Sequence, residues 1–89
     1  TKLKVIEALA LGKPLVTTEI GAEGLNLVDG EHARITALGE AFDAAAEQLL
    51  RAPAQGLAMA ERGRRHVAAH FSIDTLTVAA RAALAAYSA

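Results

Sequence analysis

Glu7 is the residue best placed for chemistry. Leu3, Ile6, Leu9 and Ala10 recur at helical spacing and make one apolar stripe. Glu7 falls on the rim of that stripe, one turn after Leu3. A half-buried carboxylate needs partners for its oxygens. Two are on offer: an ion pair with Lys4, three residues earlier, or a polar ligand bound in a cleft. The same helix begins at Thr1, Lys2 and Leu3. Its free backbone N–H groups and positive dipole end there attract phosphate. Gly21, Ala22, Glu23 and Gly24 form a loop after a strand, the place where open α/β sheets bind ligands.

The remaining reactive side chains point to less. His66 and His70 lie four apart on one helix, but no third ligand accompanies them and no Glu stands between them as in zinc proteases. No metal site is assigned. His32 follows a turn and is expected to be solvated. Arg62, Arg64 and Arg65 read as a salt-bridged face. Ser72 has no histidine placed to activate it and reads as a helix N-cap. No catalytic residue is assigned.

Several elements must hold these groups. The helix over about 2–11 stops at Gly12, with Pro14 two residues beyond. A short buried strand follows over about 14–18, then a loop turned by Gly21 and Gly24. Leu25–Val28 reads as a second strand, Asp29-Gly30 as a turn, and Ala33–Thr36 as a third strand. Three helices complete the chain. The first, about 39–51, is expected to bury Phe42, Ala45, Ala46, Leu49 and Leu50, with Pro53 limiting its extension. The second, about 54–70, aligns Leu57, Ala60, Arg64, Val67 and Phe71. The third, begun by Ser72, aligns Ile73, Leu76, Ala80, Leu84 and Tyr87. The order α-β-β-β-α-α-α is that of an α/β chain, an incomplete doubly wound (Rossmann-like) half-domain.

Composition sets the outer limits. Eighty-nine residues make one small domain. A formal net charge of −1 gives no footprint for nucleic acid. There is no long apolar run and no signal peptide, so the cytoplasm is the expected location. There is no cysteine, hence no disulfide framework or thiolate metal site. The hydrophobic fraction is 53%, yet much of it is alanine, which buries little surface.

Lys4-Val-Ile-Glu7-Ala-Leu-Ala-Leu-Gly12-Lys-Pro14-Leu-Val resembles the donor-site helix of glycosyl transferases group 1, the retaining class with the GT-B fold. In that family a pair of glutamates flanks the start of this helix, and the second stands in E-A-x-A-x-G-x-P. Glu7 matches the second, and the first would lie just before Thr1. The resemblance continues through Gly21-Ala-Glu-Gly24-Leu, Val28-Asp-Gly30-Glu-His, Phe42, Leu49-Leu50-Arg-Ala-Pro53, Gly63-Arg64 and Phe71-Ser72. The order and spacing of these elements carry it over essentially the whole chain.

The resemblance implies that residues 1–89 are the C-terminal part of a donor-binding domain, truncated at its N-terminal side, with the acceptor domain elsewhere. Glu7 would accept hydrogen bonds from the ribose hydroxyls of a nucleotide-diphosphate sugar. Backbone amides at Thr1, Lys2 and Leu3 would contact its diphosphate, and the loop at Gly21, Ala22 and Glu23 would lie near its sugar. Many members carry a Gly-Gly turn and a later Glu at that loop, a form from which this sequence departs. The intact enzyme would transfer the sugar to an acceptor hydroxyl with retention, without a cofactor, in the cytoplasm or peripheral to the inner face of the membrane. Its partners would be the nucleotide sugar and the N-terminal domain of the same enzyme.

The chain alone is expected to be inactive. It is also expected to self-associate, because its last helix would lack the domain it packs on. The alternatives are a nucleotide-sugar epimerase of the same architecture and a non-catalytic protein-interaction module.

Overall fold

The computed structural model describes residues 2–88, and side chains from 3 to 85. Thr1 and the side chains of Lys2 and Tyr87 lie outside the described residues. Seven elements follow in order: α1 (Lys2–Ala10), β1 (Val16–Thr17), α2 (Glu19–Ala22), β2 (Arg34–Ile35), α3 (Glu40–Arg51), α4 (Pro53–His70) and α5 (Ile73–Ser88). The chain is mixed α/β and mostly helical, and the expected α-β-β-β-α-α-α order is not what forms.

α1 stops where glycine and proline predict. Gly12 takes φ 68°, its N–H donates to Leu9 O at 3.0 Å, and the Lys13 N–H donates to Ala8 O at 3.0 Å. Those two bonds close a left-handed helix cap that satisfies the last carbonyls. Pro14 then releases the chain into β1. β1 pairs with β2 in parallel, Val16 opposite Arg34 and Thr17 opposite Ile35. The link between them contains α2, where a loop was expected. Thr18 starts this helix by accepting from the Gly21 N–H at 3.2 Å. Gly21 is thus helical, and glycine fits there for a different reason: a Cβ would press on the Thr17 hydroxyl.

Residues 25–28 form no strand. Gly24 and Asn26 take φ 80° and 55°, and left-handed residues so closely spaced curl the chain instead of extending it. Pro53, expected to end a helix, opens α4 at a position where its missing N–H costs nothing. Ser72 caps α5 as expected, accepting from the Thr75 N–H at 3.1 Å.

The core joins Val5, Ile6 and Leu9 of α1 to Leu25, to Val67 of α4 and to Ala79 of α5, with Leu15, Leu27, Phe71 and Leu76 alongside. α5 is therefore not unpartnered, because it folds back and packs principally on α1. Its buried side is Leu76, Ala79 and Ala83, while Ile73 and Leu84 face solvent. The small residues win the inward face because they let the helix axes approach closely. The other helices also depart from their apolar stripes. Leu3 is partly exposed, Leu50 of α3 is 83% exposed, and Leu57 of α4 is 61% exposed. α4 buries Ala60 and Val67 of its expected stripe, together with Gly56, Met59 and Gly63. Among the described residues no helix is long and apolar enough to cross a membrane.

Candidate functional site

Glu7 is more deeply buried than a position on the rim implies, with 6% of its surface exposed. Helical spacing puts Lys4 one turn earlier, and Lys4 Nζ reaches Glu7 Oε2 at 3.5 Å. The other oxygen, Oε1, is buried without a hydrogen-bond partner among the described residues. A buried carboxyl oxygen left unpaired costs roughly 1–3 kcal/mol. The ion pair with Lys4 thus satisfies half of the group. Its lysine end is mostly exposed, so the pair gives little stability in return.

Beside Lys4 runs a groove of about 530 Å³ lined by Lys4, Val5, Thr17, Thr18, Gly21 and Glu23, among others, with Phe42 at one end. The groove lies at the carboxyl end of β1, where open α/β sheets bind ligands. It gathers the start of α1, the end of β1 and the helix α2. Of the residues singled out in the sequence, Gly21 and Glu23 line it and Ala22 is buried beneath α2. Glu7 does not line it, but its ion-pair partner Lys4 does. Lys2 and Leu3 form the first turn of α1 and leave their backbone N–H groups without helical partners; Thr1 lies outside the described residues. Thr17 and Thr18 carry hydroxyls into the same groove, a feature that the apolar reading of the strand passed over.

A second polar cluster lies on α4. His32, expected to be solvated, is half-buried. Its ring stacks on His66 at 4.2 Å between centroids, and His66 stacks on His70 at 4.3 Å. The bonds fix the tautomers, because carbonyl oxygens only accept. His66 Nε2 donates to Leu25 O at 2.7 Å, and His70 Nδ1 donates to His66 O at 2.8 Å. His32 Nδ1 accepts from the Val28 N–H at 3.0 Å. Burial holds the His32 imidazole below its usual range, and the neighbouring His66 adds to this. The spacing of His66 and His70 was visible in the sequence, but the third ring comes from a loop more than thirty residues away. Among the described residues no group of three or more His, Cys, Asp or Glu is arranged to hold a metal ion.

The arginines form the expected salt-bridged face. Arg64 Nε bonds Glu61 Oε2 at 2.9 Å, and Arg65 Nε bonds Glu61 Oε1 at 3.2 Å. These bonds, Arg64's first, bring the exposed Glu61 carboxyl down to about 2. Arg62 turns away and donates to Glu31 O at 2.8 Å.

The chain matches the glycosyl transferase-like family over residues 1–82, a span that takes in Glu7, the groove and the histidine stack. The chain belongs to the glycosyl transferase-like family. No curated protein and no solved structure matches it. Membership in this glycosyl transferase-like family implies, in general terms, a nucleotide-sugar donor and an acceptor.

Proposed function

We propose that this chain is the C-terminal part of the donor-binding domain of a retaining GT-B glycosyltransferase, and that Glu7 accepts hydrogen bonds from the ribose hydroxyls of a nucleotide-diphosphate sugar. The observation that carries this reading is the buried Oε1 of Glu7, which has no hydrogen-bond partner among the described residues, on a carboxylate whose other oxygen pairs with Lys4 of the groove at the end of β1. A fold that keeps a costly oxygen there gains from it when a hydroxyl donor arrives. The first-turn amides of α1 at Lys2 and Leu3 suit the diphosphate, where negative charge grows as the glycosyl bond breaks. Glu23 and Gly21 stand on the sugar side of the groove.

Transfer to an acceptor hydroxyl requires a second domain, so the isolated chain turns over no donor. It associates with itself through apolar surface such as the groove among Val16, Ala46, Leu49, Leu50 and Leu57. Titration with uridine and guanosine diphosphates, followed by calorimetry, tests the donor site. Glu7→Ala is expected to weaken binding of whichever nucleotide binds by about tenfold or more, the loss of one charge-assisted hydrogen-bonded contact. Equal affinity in the two proteins would remove Glu7 from the site.

A further inference from the structure

The histidine stack joins two parts of the chain that are also linked by the bond from Arg62 to Glu31 O. Leu25, Val28 and His32 belong to the irregular segment between α2 and β2, and His66 and His70 belong to α4. His66 grips the backbone of Leu25, and the ring of His32 both closes its own loop onto Val28 and stacks on His66. The fit is close. A Cβ on Gly63 would stand 2.7 Å from His32 O, so the loop rests directly on the helix backbone.

Protonation has a defined geometric effect here. Nδ1 of His32 accepts a hydrogen bond, so the neutral ring carries its proton on Nε2. A second proton could enter only at Nδ1, where it would point at the N–H of Val28, turning an attraction into a donor–donor conflict. The surroundings weight the outcome the same way. The ring is partly desolvated, and His66, Arg62 and His70 of α4 oppose a positive charge on it; Glu31, its neighbour in the loop, alone favours one. Those four groups are the charges acting on the ring.

We propose that this stack is an acid-released clasp: with neutral rings it fastens residues 25–32 to α4, and uptake of a proton at His32 Nδ1 frees that segment. The sign follows from the direction in which the folded ring is shifted. A histidine held below its free value of 6.5 contributes stability that is fully present above 6.5 and is lost as pH falls through the window beneath it. The released segment begins two residues after Glu23, which lines the groove. The clasp itself stands whether or not that groove binds a nucleotide.

The test is nitrogen-15 NMR of the histidine rings in the 89-residue chain, together with amide hydrogen exchange corrected for intrinsic rates. His32 is expected to show the Nε2–H tautomer at neutral pH and a midpoint below 6.5. The opening constant at the Val28 amide is expected to rise as pH falls through the window, by at most about tenfold per pH unit for one proton taken up on opening, while Leu9 and Val67 show no such slope. His32→Asn keeps an acceptor oxygen but no titration, and is expected to abolish the slope. A proton on Nδ1 at neutral pH, a midpoint at or above 6.5, or an unchanged slope in the variant would overturn the clasp. If the variant fails to fold, the tautomer and midpoint of the unmodified chain decide alone.

Discussion

The two polar clusters of this small protein satisfy their buried atoms in opposite ways. At Glu7 one carboxyl oxygen meets an exposed lysine and the other has no hydrogen-bond partner among the described residues. At the histidine stack each ring has a hydrogen bond to backbone and at least one ring neighbour. Both rest on the same core, in which Leu9 and Val67 are fully buried. A polar group closed on itself holds the fold together. One left open costs stability until something outside the described chain completes it.

The sharpest way to break the comparison is at the closed cluster. Gly63→Ala would place a methyl group against His32 O and against Leu9 Cδ2 at 2.8 Å. Backbone cannot yield as a flexible side chain does, so a loss of about 2 kcal/mol is expected in urea unfolding. A loss under about half of that would show that the loop does not sit on α4 as closely as described.

The open cluster should respond with the reverse sign. Glu7→Met removes an unsatisfied oxygen while keeping an unbranched chain, and is expected to raise stability by about 1 kcal/mol. That same variant forfeits any hydrogen bond to a ligand. A marked fall in the unfolding midpoint would mean that Glu7 serves the fold, and the contrast between the clusters would collapse.

The smallest effect belongs to the arginine face on the outside of α4. Glu61 is held down to about 2 from a usual 4.5 by Arg64 and Arg65. Its contribution is present above 4.5 and is lost as pH falls toward 2. Glu61→Gln should flatten that acid limb slightly and leave stability near neutral pH almost unchanged, because exposed pairs contribute little. Comparing acid titrations of the two proteins by circular dichroism checks it. The limb that begins below 6.5 belongs to His32, so the two variants separate the clusters by pH.

Much of the site was legible because it is local. Glu7 and Lys4 meet through one turn of helix, and Gly12 ends that helix by a conformation its lack of a Cβ allows. Ser72 capped its helix for the same kind of reason. What escaped the sequence was longer in range. Leu25–Val28 carries a strand-like apolar pattern, yet left-handed Gly24 and Asn26 override it. The apolar stripes of α3, α4 and α5 named Leu50, Leu57, Ile73 and Leu84, all of which face solvent. Helical periodicity gives the width of a face; which alanines and glycines permit close packing decides its direction.

The sequence by itself determined the helix that carries Glu7, its stop at Gly12, its cap-bounded successors and the family to which the chain belongs, because each depends on residue types at short spacing. Only the tertiary structure decided that Glu7 Oε1 is buried and unpaired, that α5 covers α1, and that His32 joins His66 and His70. Those facts depend on which surfaces exclude water together, and that is settled by packing between residues far apart in the chain.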